Sequence, residues 1–386
     1  MTQTPIGGWP TPRSAYLHVP FCRHRCGYCN FSVTAGRDDL ADDFLTAIDI
    51  ELSLLGSPQP IDTLFIGGGT PTHLSREQLD QLFASIDRWL IRTPATETTV
   101  EANPEDIVID DEKLSLLARH GVNRISLGVQ SFNEAKLKLL ERSHSKSSAS
   151  LAIQRCAELI GNVSIDLIFA APNETPEDWR RDLETAFSLP ISHLSTYALT
   201  FEKGTSFWSQ RLRGSLNEVC EDNQLTMYED AIRMSQAFGL SHYEISSFAR
   251  DGYRCNHNLT YWHGRGWFGF GPGAAKFMDG AREVNHRSTT TYLRRMLSGD
   301  QSPVAEREQI TPEQYACERA AFGIRMIDGI DMETIHQECG IDVASIRRSG
   351  IERCQQQGLI LIKGTHYQLT HQGILMADSV ATELLG

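Results

Sequence analysis

Between Tyr16 and Ala198 six short β-like runs alternate with helical patterns, and that alternation restricts the chain to a parallel sheet covered by helices. The runs span 16–19, 63–66, 98–102, 124–129, 163–169 and 193–199. Between the first two, Leu40, Phe44, Ile48, Leu52 and Leu55 recur at helical spacing; segment 111–120 is bracketed by Asp110 and Gly121, a cap pair. Two architectures fit, an open doubly wound sheet and an incomplete barrel. Polar residues separate them. A cysteine cluster follows the first run, Gly67-Gly68-Gly69-Thr70-Pro71 the second, and Glu101-Ala102-Asn103-Pro104 ends the third. Gln130 follows the fourth, Asp166 lies within the fifth, and Tyr197 and Ala198 belong to the sixth. Polar groups at successive strand ends describe the active face of a barrel. A doubly wound dinucleotide site would concentrate its glycines after the first strand instead. The pattern predicts an α/β fold with an incomplete (β/α)6 barrel over residues 8–240.

The later chain has a different character. A helix is predicted at 221–238, and 241–300 reads as a connecting segment with a Gly/aromatic stretch at 257–277. Over 301–386, helical segments at 312–326, 332–338 and 343–356 precede Leu359–Ile362, a turn at 363–366, Tyr367–Leu369 and a last helix from about 371. Helices followed by a hairpin outline a C-terminal winged-helix-like α+β domain. Acidic residues number 49 against 36 basic, a net charge of −13, so nucleic acid is not an expected partner and the tail is read as a packing domain. No run of 18 apolar residues occurs and the opening residues lack an apolar stretch; a cytoplasmic protein, not an integral membrane one, is expected.

Nine cysteines, an odd number, point to a reducing compartment rather than to a disulfide framework. Six are scattered and read as small buried hydrophobes. Cys22, Cys26 and Cys29 instead crowd into eight residues and read as metal ligands. A zinc site would need a fourth ligand, for which His24 is the candidate. In an iron–sulfur site, three thiolates leave one iron of a four-iron cubane open for a small molecule. Phe21, Tyr28 and Phe31 offer screening from water, and Arg23 and Arg25 offset negative charge.

This CxxxCxYC loop, placed after Tyr16-Leu17-His18-Val19-Pro20-Phe21, resembles the signature of radical S-adenosylmethionine (SAM) enzymes. The resemblance implies a [4Fe-4S] cluster on Cys22, Cys26 and Cys29 whose open iron is chelated by SAM, and a reductive cleavage yielding a 5′-deoxyadenosyl radical. Gly67–Pro71 is similar to that family's GGGTP turn, where glycine lets the backbone approach the methionyl end. Within it, the chain is most similar to the oxygen-independent coproporphyrinogen III oxidase-like group. That likeness implies SAM contacts at Tyr16, Tyr28, Gly68, Gly69, Thr70, Glu101, Gln130, Arg142, Asp166 and Ala198. Glu101 and Asp166 suit ribose hydroxyls or an ammonium, and Arg142 suits a carboxylate. The structural alternative is a set of carboxylates paired in the core.

Two features depart from the oxidases. They carry a further cysteine two residues after the third, where this chain has Phe31. Secondly, His257-Asn258-Leu259-Thr260-Tyr261-Trp262 forms an HNxxYW motif followed by a GxGxGA run at 269–274. Both resemble the heme-chaperone branch of the group. The implied cofactor is then heme, the implied partners are recipient apo-hemoproteins, membrane-associated respiratory ones among them, and a homodimer is a possible state; coproporphyrinogen oxidation is not expected. His257 is the candidate heme ligand, with Tyr261 and Trp262 as flat faces and Cys255 as a rival thiolate. The bland alternative packs the motif internally. The other functional readings are a radical SAM oxidoreductase acting on a porphyrinogen or another substrate, and a zinc or structural protein. A last departure is Ala170-Ala171-Pro172-Asn173-Glu174-Thr175, where relatives usually read GLPGQT.

Overall fold

In the computed structural model, which describes residues 5–110, 112–299 and 302–386, six strands lie side by side, parallel and in chain order. They are β1 (Ser14–Val19), β2 (Thr63–Gly68), β3 (Glu97–Ala102), β4 (Arg124–Gln130), β5 (Val163–Phe169) and β6 (His193–Ala198). Consecutive residues along these strands are mostly buried, polar ones included, as suits a sheet covered on both faces. The helices α1 (Ala41–Ser53), α2 (Arg76–Trp89), α3 (Glu112–Arg119), α4 (Lys146–Leu159) and α5 (Pro176–Phe187) lie between strands, and α6 (Glu221–Ala237) follows β6. Phe44, Ile48 and Leu52 are buried as their spacing predicts, and so are Leu79, Leu82, Phe83 and Ile86 on α2. Residue 111, the first of a predicted helix, lies outside the described residues. Ser75, Ser145 and Thr175 each close a capping box at a helix start, an arrangement worth about 1 kcal/mol apiece.

The sheet does not stop at six strands. Beyond β6 come the antiparallel β8 (Ser247–Ala249) and β7 (Ser241–Glu244). Beyond β1, β9 (Trp267–Phe270) is parallel, and β10 (Ala275–Met278), β11 (Ala281–Asn285) and β12 (Val304–Gln309) follow antiparallel. Together they make one open sheet of 12 strands. The connecting segment expected at 241–300 is thus corrected: it extends the sheet at both ends. Its glycines disguise the strand. A Cβ on Gly269 would fall 2.0 Å from the Ala275 carbonyl oxygen, so close backbone approach requires glycine inside β9. After it, α8 (Thr289–Leu297) packs Tyr292, Leu293 and Met296 into the same core as the barrel helices. Buried Glu51 of α1 clamps this layer, accepting from the Gly271 N–H, Asn285 Nδ2 and the Tyr292 hydroxyl, each at 2.7 Å.

The C-terminal part has its own core. Helices α9 (Pro312–Gly323), α10 (Met332–Cys339) and α11 (Arg348–Gln356) precede a hairpin of β14 (Ile360–Lys363) and β15 (His366–Leu369), joined by β13 (Ile330–Asp331). The helix predicted over 343–356 is broken at Arg347, and a break at Met376 precedes α12 (Ala377–Leu385). Between the two cores sits α7 (Asn256–Trp262). It turns Leu259 and Trp262 to the C-terminal core and buries His257 and Thr260 against the barrel. No helix among the described residues is long and apolar enough to cross a membrane.

Candidate functional site

The C-terminal ends of β1 to β6 surround a cleft with about 710 Å³ of empty space, open to solvent. One wall is the cysteine loop. The Cys22 thiol lies 3.3 Å from the Thr70 hydroxyl, and Cys26 lies 3.7 Å from the Glu141 carbonyl and 3.8 Å from the Arg142 guanidinium. The Gly27 N–H donates to Glu141 Oε2 at 2.8 Å, which ties the loop to the segment after β4. Burial pushes the Cys29 thiol up, and neighbouring Cys26 and Cys22 add to it. A single zinc ion wants donors at about 2.0–2.3 Å from one point. Among the described residues no three His, Cys, Asp or Glu side chains converge that way, and His24 pairs with Glu141 at 3.0 Å. All three cysteines line this one cleft.

The glycine turn lies directly beside the cysteine loop, the Thr70 N–H donating to the Phe21 carbonyl at 2.7 Å. Gly68 has φ +113°, and a Cβ there would sit 2.5 Å from the His18 ring; one on Gly69 would sit 2.4 Å from the Phe21 carbonyl oxygen. The Gly68 N–H donates to Glu101 Oε2 at 2.9 Å. Glu101 is pushed up to about 7, chiefly by burial and then by the Asp166 carboxylate. Asp166 is pushed up to about 6 by burial, which hydrogen bonds from Ser195 and Ser126 only partly offset. Arg142 donates to the Gly128 carbonyl at 2.8 Å and to Asn103, yet its buried Nε has no partner among the described residues. Gln130 ends β4 in the left-handed region at φ +66°, with the Tyr197 hydroxyl 3.5 Å from its Oε1.

Cys22, Cys26, Cys29, Tyr28, Gly68, Gly69, Thr70, Glu101, Gln130, Arg142 and Asp166 all line this cleft. Tyr16 and Ala198 do not. The Tyr16 hydroxyl is held by His18 Nδ1 at 2.9 Å and its ring stacks on Phe65, beneath the cleft. On β6 it is Tyr197 that reaches the cleft, and strand alternation turns Ala198 the other way. Sequence reasoning also missed Asn103, Ser126 and Gly128. The last two precede Gln130 at period two on one face of β4, a signal that the sequence carries.

His257 lies at the other end of the barrel, beside the first residue of β2. It is 1% exposed, with Nδ1 2.9 Å from the Thr63 hydroxyl and Nε2 2.8 Å from the Tyr261 hydroxyl. Burial, then the Arg124 charge, holds it down at about 3. This corrects the expectation of an available axial ligand: both ring nitrogens are already bonded. Cys255 is no alternative, being fully buried against Glu97. Tyr261 and Trp262, by contrast, line an aromatic cavity with Trp267, Phe277, Tyr315 and Phe322, and Arg282 and Arg319 stand in its wall.

The loop after β5 carries Ala170 and Asn173 where relatives usually have glycine. Ala170 and Asn173 take the left-handed φ values of 60° and 67°, and Glu174 accepts from the Ala171 N–H at 2.9 Å. Lys136 meets the Glu174 carboxylate at 2.5 Å and that of Asp182 at 3.2 Å, all three being buried.

Comparison with known proteins bears on this geometry. The radical SAM superfamily matches residues 16–186 and the HemN C-terminal domain matches 310–376. The heme chaperone HemW of Bacillus subtilis is 35% identical over 379 residues, covering 97% of this chain and 99% of that protein. The heme chaperone HemW of Lactococcus lactis is 32% identical, with 97% of both chains covered. Among solved structures, Escherichia coli coproporphyrinogen III oxidase (HemN), a radical SAM enzyme, superimposes with a TM-score of 0.85 at 21% identity, covering 97% of this chain and 90% of that one. At that identity the likeness speaks to the fold alone.

Proposed function

The chain belongs to the HemW family of heme chaperones, built on the radical SAM fold, and from that membership we propose that it binds heme and passes it to recipient hemoproteins while carrying a [4Fe-4S] cluster with SAM. Cys22, Cys26 and Cys29 are the cluster ligands in this reading, and the cleft they line suits them. When bound, the cluster and SAM supply one-electron cleavage chemistry. The chain's own part is electrostatic and steric. Arg142 offsets the thiolates' charge, and its free Nε suits a carboxylate. Glu101, Asp166 and Gln130 offer acceptors to hydroxyls and an ammonium, Gly68, Gly69 and Thr70 let the backbone come close, and Tyr28 covers the loop side. Tyr16 acts indirectly by holding His18 under Gly68, and Ala198 through the backbone that places Tyr197.

One observation carries the heme assignment: α7 delivers Tyr261 and Trp262 to an aromatic cavity closed by the C-terminal domain, whose wall arginines, Arg282 and Arg319, are paired with Glu308, Glu318 and Glu338. His257 supports this cavity through the Tyr261 hydroxyl. All nine cysteines are free, in keeping with a cytoplasmic setting. Heme titration of anaerobically prepared protein tests the reading. The Phe322→Asp variant should lose most of the affinity, and a parent-like titration in that variant would sink it. The assembled cleft favours one second reading, a radical SAM oxidoreductase acting on a porphyrinogen. Turnover of coproporphyrinogen by the reconstituted protein decides for or against it.

A further inference from the structure

The barrel interior beneath the cleft holds a fixed positive charge. Arg124 opens β4 and points inward, since Ser126, Gly128 and Gln130, at period two from it, line the cleft. Strand register sets its depth. Ser126 pairs with Glu101 of β3 and Arg124 with Thr99, so Arg124 lies one layer below Glu101. Ser126 also hydrogen-bonds the Asp166 carboxylate, which places Arg124 beneath both acids. Arg124 is 1% exposed, and its Nε has no partner among the described residues. From the lower end of the barrel, Glu97, Tyr243 and Cys255 face it, with the His193 and His257 rings alongside. From the cleft end, Asp166 and Glu101 face it. Those two carboxylates also face each other and the Tyr16 and Tyr197 hydroxyls, and Asp166 faces Arg142.

We infer that Arg124 is a positioning residue whose charge, one layer below the cleft, keeps Glu101 and Asp166 ionised and ready to accept from a ligand's ammonium and hydroxyls. A guanidinium does not give up its proton in a protein, and in the interior salt screens its field little. Two neighbouring buried carboxylates resist ionising together, and a cation beneath both offsets that resistance. The inference rests on the reading of Glu101 and Asp166 as SAM contacts. Arg124 touches no ligand and acts through them.

Carboxyl infrared bands of the full chain, followed from pH 5 to 9 without cluster or SAM, test it; Glu101→Gln and Asp166→Asn assign the bands. In Arg124→Gln both midpoints should rise by about one pH unit, and Arg124→Lys should bring them back toward the parent. Glu97→Gln needs no change at Arg124 and answers even where Arg124→Gln does not fold. It removes the anion that shares the guanidinium from below, so both midpoints should fall. A merely structural arginine would leave them in place, and unmoved midpoints in either variant overturn the proposal. In reconstituted protein, Arg124→Gln should bind SAM about tenfold more weakly at pH 7 and recover by pH 9, with iron at the parent level. Parent-like SAM affinity at pH 7 in that variant equally overturns it. A parent that binds no SAM removes the ligand reading instead, and the band titration then decides on Arg124 by itself.

Discussion

The His257 imidazole and the Tyr261 hydroxyl, one turn apart on α7, are hydrogen-bonded at 2.8 Å, and the second ring nitrogen is bonded to Thr63. The histidine of the motif therefore works on its tyrosine. A neutral, doubly bonded imidazole under the barrel is a support for the aromatic cavity.

That state has a pH signature. His257 is held down at about 3 in the folded protein, against an ordinary value near 6.5, so between these limits the unfolded chain binds the extra proton. Its contribution to stability is fully present above about pH 6.5 and is lost as pH falls toward 3. Urea unfolding of parent and His257→Gln at pH 7.5 and 5 should show the parent's advantage shrinking at the lower pH. The same substitution should leave a heme Soret band in place with altered affinity; an unchanged affinity would remove His257 from the site altogether.

Replacing Cys26 by Ala takes away one of three protein anchors, so iron and sulfide should fall to a small fraction of the parent after anaerobic reconstitution. Cys156, fully buried on α4, is the control: Cys156→Ala should cost about 1 kcal/mol of packing and no iron. Parent-level iron in the Cys26 variant refutes the ligand assignment.

Glu101 titrates at about 7 and Asp166 at about 6, so the cleft gains protons just below neutrality. An ammonium-bearing ligand such as SAM needs the carboxylates ionised and should bind more weakly as pH drops from 8 to 5.5. Glu101→Gln should flatten that dependence without reducing iron content. Equilibrium dialysis with labelled SAM measures it, and an unaltered pH profile in the variant counts against the contact.

Lys136 lies between Glu174 and Asp182 in the interior. Lys136→Met would leave two buried carboxylates facing each other and should destabilise by about 3–5 kcal/mol. Glu174→Gln, which restores the residue relatives usually carry, keeps the Lys136–Asp182 pair and should cost about 1 kcal/mol. Denaturant midpoints separate the two.

Local spacing makes much of this protein legible in its sequence. Cys22, Cys26 and Cys29 are close because they are close in sequence, and the turn at Gly67–Thr70 reads directly as a place without room for side chains. The parallel core is equally visible, since short β-like runs alternate regularly with amphipathic helical spacing. The strand at 267–270 is not, because its glycine, Gly269, is required by a neighbour rather than by the strand itself.

What the sequence by itself determined is the set of chemical groups and their order at the strand ends. Which of them face one another was decided by the tertiary structure alone. Thr63 and His257 are 194 residues apart, and Glu51 and Asn285 are 234 apart, so no window of sequence shows that one imidazole is saturated or that one carboxylate is satisfied. Hydrogen-bonding capacity and desolvation belong to the packed neighbourhood of an atom. The same residue type therefore becomes a ligand, a support or a core group according to which distant segment closes over it.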